Sequence, residues 1–364
     1  MKPDARQHPC QFGFPLVNMQ GSLANPNIAI ELAKLGDYSR IPPRATGKID
    51  ARAVLDAKAS GLAAILVTVG HVVGPQDPYS ATVADIEDWR AFLDGNSNDF
   101  ALVKKASTIR ECWASKRIGV ILGFQNSEML IGDPSKVATF ADMGVRVMQL
   151  TYNTANAAGS GCMAEGGLTA LGRKFVEAMN ESGVLVDLSH ANSESLRGAI
   201  ETSTRPIAIS HTACRALADH PRNVSSSDLR LLANAGGVVG IYGMPFLRNA
   251  GQPHLADFVE HVELAISTVG EDHVGIGMDG TISEIDDVNA YMGFLAEEVA
   301  ARRNAGISST GESQAVALFL PDMTGPSQFQ VLADALEARG HRSARIEKLL
   351  GGNWSRLLRE ALRS

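Results

Sequence analysis

Eight short runs of apolar, β-prone residues punctuate the chain, most of them separated by stretches with helical periodicity. The runs are PLVNM at 15–19, AAILVTV at 63–69, IGVILGF at 118–124, VRVMQLT at 145–151, VLVDLS at 184–189, PIAIS at 206–210, GVVGIY at 237–242 and HVGIGM at 273–278. They are mostly apolar throughout instead of alternating, as in parallel strands covered on both faces. This pattern predicts the α/β class and a (β/α)8 TIM-type barrel, with its chemistry on the loops that follow the strands. A doubly wound open sheet is the competing architecture.

About forty residues separate the first two strands and nearly fifty the second and third, so extra helices or loop excursions such as PQDPYSATVADIEDWRAFLDG are expected there. The segment GLTALGRKFVEAMNESG reads as a helix, with Thr169 as N-cap, an apolar face of Leu171, Phe175, Val176 and Met179, and Gly183 as its stop. SSDLRLLANAGG at 226–237 follows the same grammar and leads into the seventh strand. With no repeat, low-complexity tract or linker, residues 1–364 are read as one domain.

Composition excludes several function classes. A formal charge of −7 and no basic block argue against a nucleic-acid partner. The longest apolar run, GLAAILVTVG at 61–70, is far short of the roughly 20 residues that span a bilayer. The first residues lack the basic start and apolar core of a secretory signal, so a cytoplasmic location without membrane attachment is expected. Cys10, Cys112, Cys162 and Cys214 lie far apart, against a thiolate metal site or a disulfide framework, and Cys214 is expected as a buried thiol. There is no GxSxG elbow, no HExxH helix and no phosphate-cradling glycine loop.

In a barrel, the residues just past each strand face the active site. Here they are Gln20, His71, Gln125, Tyr152 with Asn153, His190, His211, Tyr242 and Asp279. Two histidines on consecutive strands, in DLSH and AISH, with an aspartate after the eighth, suit a zinc site, since neutral imidazoles bind zinc and a nearby carboxylate can ligate it or take a proton from its water. Spacing alone leaves structural hydrogen bonding equally open. Surface exposure is expected for His8, His71, His254, His261 and His341, with substrate contact the alternative for His71.

The stretches GVRVMQLTYN, GGLTALGRKFVEAMNESGVLVDLSHA, PIAISHTACRALADHPRNVSSSDLRLLANAGGVVGI, HVGIGMDG and IEKLLGGNWSRLL resemble the membrane dipeptidase family of the amidohydrolase superfamily. The resemblance implies a barrel with a binuclear zinc site. A His-x-Asp pair after strand one and a bridging glutamate after strand three would serve the first metal, and two histidines after strands five and six the second. On that pattern His190 and His211 are metal ligands, Asp279 exchanges protons, and Arg222 in DHPRN clamps a substrate carboxylate, with a structural salt bridge as its other reading. Asn153 falls in the substrate-facing loop. The resemblance also implies a dipeptide or related small amide as substrate and allows a homodimer.

The other half of the pattern is altered. Gln20 and Ser22 stand at the His-x-Asp positions, Gln125 at the bridging glutamate, and Tyr152 in place of a substrate-contacting histidine. An amide is a weak neutral donor where a carboxylate supplies charge to two cations, so Gln20 and Ser22 are read as vacant first-metal positions. Glu128 is the nearby carboxylate that would have to reach inward to compensate. Two readings follow. One is a hydrolase with a single zinc on His190 and His211, Gln125 (a weak donor) or Asp279 and a water completing its shell, and Tyr152 and Asn153 at the substrate. The other is a non-catalytic barrel that binds a small molecule or a partner without metal.

Overall fold

The computed structural model describes residues 10–304 and 315–362, so the expectation for His8 lies outside the described residues. Nine strands form one parallel sheet: β1 Leu16–Asn18, β2 Leu62–Thr68, β3 Phe100–Leu102, β4 Ile118–Phe124, β5 Val145–Gln149, β6 Leu185–Asp187, β7 Ala208–Thr212, β8 Val238–Ile241 and β9 Val274–Ile276. Eight run in the order β1-β2-β4-β5-β6-β7-β8-β9. The ends meet where Met19 N–H donates to the Ile276 carbonyl at 3.1 Å and Met278 N–H to Asn18 Oδ1 at 2.9 Å. This closure makes the sheet a (β/α)8 barrel and sets the open-sheet alternative aside.

The long connections hold what their length demanded. Helices Pro26–Lys34 and Ala51–Ala59 lie between β1 and β2, and helix Pro78–Gly95, the short β3 and helix Ser107–Ser115 lie between β2 and β4. The helix expected after Thr169 spans Ala170–Ser182; the Thr169 hydroxyl accepts the Gly172 N–H at 3.0 Å, and Gly183 stops the helix at φ +65°. Helix Ser226–Asn234 starts in the same way on Ser225. Among the described residues no helix is long and apolar enough to cross a membrane.

Side chains alternate across each strand, which splits the core in two. Ile65, Val67, Leu122, Phe124, Val186 and Ile209 pack outward against the helices. Val17, Met19, Leu66, Ile121, Val147, Leu185, Ala208 and Val238 fill the barrel interior together with Trp354, Leu357 and Leu358 of helix Asn353–Ala361. The Trp354 indole donates to the Ile276 carbonyl at 3.0 Å. It fits because Gly275 is bare: a Cβ there would lie 2.3 Å from the indole nitrogen.

Candidate active site

Two residues beyond Val147, Leu185 and Ala208, on the same inward face, the barrel lining turns polar with Gln149, Asp187 and Ser210. Asp187 is fully buried. Its carboxylate accepts from Ser189 N–H and Oγ, from Ser210 N–H and Oγ, and from the Gln149 amide. Both serine hydroxyl hydrogens are therefore committed to Asp187. Ser210 Oγ, 2.8 Å from His211 Nδ1, has only lone pairs left for the imidazole, so His211 carries its hydrogen on Nδ1.

His190 is oriented from the neighbouring loop. Its Nδ1 lies 2.7 Å from Asn153 Oδ1, an acceptor, and its ring stacks on Tyr152 with centroids 4.2 Å apart. That loop is held by Gly161, whose backbone pairs with Ala191 and whose absent Cβ would fall 1.9 Å from the Tyr152 carbonyl. His190 takes φ +68° and Asp279 φ +56°. Left-handed backbone of this kind costs roughly 1–2 kcal/mol in a residue other than glycine and concentrates at functional sites.

The consequence is a pair of imidazoles whose Nε2 atoms face each other at 3.0 Å. With Nδ1 of each ring donating, both Nε2 atoms present lone pairs. Burial pushes both histidines well below their ordinary value, and the nearby positive charge of Arg222 adds to it, so a proton shared between them is opposed. Two lone pairs so placed suit a cation: in a tetrahedral zinc site the ligand nitrogens stand about 3.3 Å apart. Among the described residues no group of three or more His, Cys, Asp or Glu side chains gathers as a metal site, so any ion at the two imidazoles would need neutral donors or water to complete its shell. Gln125 lines the same cavity and is partly exposed, as a weak oxygen donor would need to be.

Gln20 and Ser22 are built into the scaffold. Ser22 Oγ accepts the Ala24 N–H at 3.1 Å. The Gln20 amide donates to Thr68 Oγ1 at 2.8 Å and also to the Asp279 carboxylate, while the Gln20 carbonyl accepts Asp279 N–H at 2.9 Å. Gln20 thus supports the aspartate after β9. Glu128 stays on the outside, its carboxylate 3.4 Å from His71 Nε2.

His190, Arg222, Asp279, Gln125, Tyr152 and Asn153 line one cavity of about 250 Å3, so the residues singled out along the chain converge. Arg222 is 4% exposed, its guanidinium lies 5.7 Å from the Tyr242 ring, and no ion pair forms on it among the described residues, against the structural salt-bridge reading. Burial holds the Asp279 carboxyl up at about 6, although Arg222 and the Gln20 amide favour its charged form. Asn153 serves His190 through its side chain, a positioning role the substrate-loop reading did not include. Arg302, from helix Val288–Asn304, enters the cavity and donates to the Tyr152 hydroxyl at 3.3 Å; nothing singled it out in the sequence.

Three histidines expected at the surface are buried. His71 meets Glu128, His261 Nδ1 accepts the Cys214 N–H at 3.0 Å, and His341 sits against Glu263 and Arg345. Each finds partners from distant segments, which local sequence does not reveal. His254 is exposed as expected. Cys214 is a free buried thiol, pushed up to about 12 by burial.

Residues 43–309 match the family described as Membrane dipeptidase (Peptidase family M19), and the chain belongs to that family. Dipeptidase verJ of Clonostachys rogersoniana is 29% identical over 226 residues, which are 60% of this chain and 58% of verJ, so the match spans under two thirds of that relative. The crystal structure of an amidohydrolase from Pseudomonas aeruginosa, 27% identical, superposes with a TM-score of 0.78 over 96% of this chain and 97% of its own. The solved dipeptidase AC, a metallopeptidase, superposes with a TM-score of 0.74 over 97% and 100% of the two chains; at 19% identity this is a likeness of fold.

Proposed function

We propose that this protein hydrolyses dipeptides or related small amides at the cavity above β6 and β7, using one zinc ion per chain held by His190 and His211, with the Gln125 amide oxygen as a weak third donor. The observation that carries the reading is the facing of the His190 and His211 Nε2 atoms at 3.0 Å, with His190 on the wall of a cavity of about 250 Å3. Family membership and the dipeptidase named among the relatives support the reaction class. When bound, zinc supplies a Lewis acid for the scissile carbonyl and makes water more acidic.

The chain's own groups do the rest. Asp279, with its carboxyl near 6, takes a proton from the attacking water and returns it to the leaving amine nitrogen. Gln20 holds that carboxylate in place from behind. Arg222 offers its planar fork to the substrate carboxylate in a site where the Tyr242 ring backs it. Asn153 and Tyr152 fix the His190 ring, and Asp187 fixes His211 through Ser210.

The absence of a third His, Cys, Asp or Glu at the imidazole pair, among the described residues, favours a second reading, a metal-free barrel that binds a small molecule without cleaving it. Metal per chain, measured by elemental mass spectrometry on protein expressed with zinc and purified without chelator, separates the two. About one zinc per chain, lost in the His190→Ala, His211→Ala double variant and accompanied by dipeptide cleavage, is expected. Two per chain would overturn the single-metal site, and none would leave the metal-free reading.

A further inference from the structure

A second cavity lies at the other end of the barrel, where β2 and β4 begin. Helices Ala51–Ala59 and Ser107–Ser115 flank it, and residues 10–12 close one side. Its volume is about 590 Å3, against about 250 Å3 at the imidazole cavity, which is within the range of small-molecule sites. Distant parts of the chain fix its walls. The Trp113 indole donates to the Phe12 carbonyl at 3.3 Å, and Cys10 N–H donates to the Ala59 carbonyl at 2.9 Å. Gly61 permits this approach, since a Cβ there would lie 2.9 Å from the Cys10 carbonyl. Phe12 and Trp113 line the cavity as partly buried rings, and Leu55, 58% exposed, joins them as an apolar side chain that the core does not take up.

The charges around these walls are of one sign. Lys58, Lys116 and Arg117 line the cavity with no Asp or Glu among its described lining residues, in a chain of formal charge −7. Lys58 is paired with Asp99. Arg117 meets neutral acceptors, Ser115 Oγ at 3.1 Å and the Ser97 carbonyl at 3.4 Å, and the exposed Lys116 ammonium has no partner among the described residues. Lys116 also takes left-handed backbone, φ +56°, at the stop of its helix, where Gly144 and Gly183 stop two others. Glycine is the favoured residue in that conformation, so the lysine stands there against local preference. Aromatic walls with unmatched cations at the edge suit an anion carried on a flat apolar body. We infer that this cavity is a second ligand site, and that it binds a small aromatic carboxylate with its ring against Trp113 and Phe12 and its charge at Lys116 and Arg117. The inference does not depend on the proposed function.

The test titrates the full chain with 2-naphthoate, with its neutral counterpart 2-naphthamide and with acetate, binding being read by calorimetry. Wild type should bind one naphthoate per chain, about tenfold or more tighter than the amide, as expected for charge-assisted contacts, and acetate weakly. Lys116→Gly should weaken naphthoate by about fivefold to tenfold while folding at least as well, because glycine suits the left-handed backbone. Leu55→Asp, at an exposed position, should remove binding by placing a carboxylate against the ligand's own. Circular dichroism checks both folds. Equal affinity for naphthoate and naphthamide would overturn the inference. So would binding undiminished in both variants, which would place the carboxylate elsewhere. A wild-type dimer that Leu55→Asp splits, seen by light scattering with no naphthoate bound, would assign the face to a second copy of the chain and overturn it as well.

Discussion

His190 and His211 face each other through their Nε2 atoms at 3.0 Å, and each has its other ring nitrogen occupied by an acceptor. Every tautomer choice in this pair is made outside it, by Asn153 on one side and by Ser210 with Asp187 on the other. Gln20 and Ser22, in contrast, bond into the barrel frame.

Ser210→Ala removes the acceptor from His211 Nδ1 and frees the ring to take the wrong tautomer. Zinc affinity, measured by competition with a chromogenic chelator, should fall about 10- to 100-fold, the usual effect of losing such a support. Unchanged affinity would mean that Asp187 and Ser210 serve the barrel alone.

On the proposed mechanism, Asp279 sets the acid limb of activity. With its carboxyl near 6, kcat/KM should rise through about pH 6 and then level as the base becomes ionised. Gln20→Met removes a donor that favours the charged form, so the limb should move upward by about half a unit or more. A profile that stays put would detach Gln20 from the aspartate.

The same group links stability to pH. Its carboxyl is near 6 in the folded chain and near 3.8 otherwise, so the proton is held more tightly when folded. That stabilisation is complete below the lower value and is lost as pH rises through the upper one. Asp279→Asn should therefore be more stable than wild type above pH 6, by roughly 2 kcal/mol after allowance for contact with cavity water, and equal to it near pH 3. Chemical denaturation at the two pH values checks this.

Arg222→Met should lower kcat/KM by about 30-fold or more for dipeptides with a free C-terminal carboxylate and far less for their C-terminal amides. Equal losses on both would remove Arg222 from carboxylate recognition.

Gly161→Ala drives a methyl group into the Tyr152 carbonyl. A loss of about 2–3 kcal/mol is expected in thermal or denaturant unfolding, with weaker zinc binding because Tyr152 and His190 shift together. A variant as stable as wild type would show that the loop after β5 yields easily.

Much of this was readable along the chain, for identifiable reasons. The eight barrel strands are continuous apolar runs, and the helix at Ala170–Ser182 carries both its N-cap and its stop. The residues past the strand ends had to converge once the barrel closed. Phe100–Leu102 escaped notice because three residues carry no period, and pairing with Ile118–Val120 alone makes them a strand. Arg302 escaped because it lies on a helix well beyond β9, although its spacing from Leu295 and Val299 was a usable signal. His71 and His261 were misplaced because their partners, Glu128 and the backbone of Cys214 and Leu247, arrive only with the tertiary fold.

The indole of Trp354 carries a consequence for biosynthesis. It lies inside a cylinder whose first strand begins at Leu16, and Gly351 nearby packs against the Pro15 carbonyl. A nascent chain on the ribosome therefore has an unfilled, half-wrapped sheet until residue 354 has emerged, with apolar strand faces open to chaperones and to one another. A stall in translation just before that point would yield a product that contains every active-site residue named here and still cannot close around them.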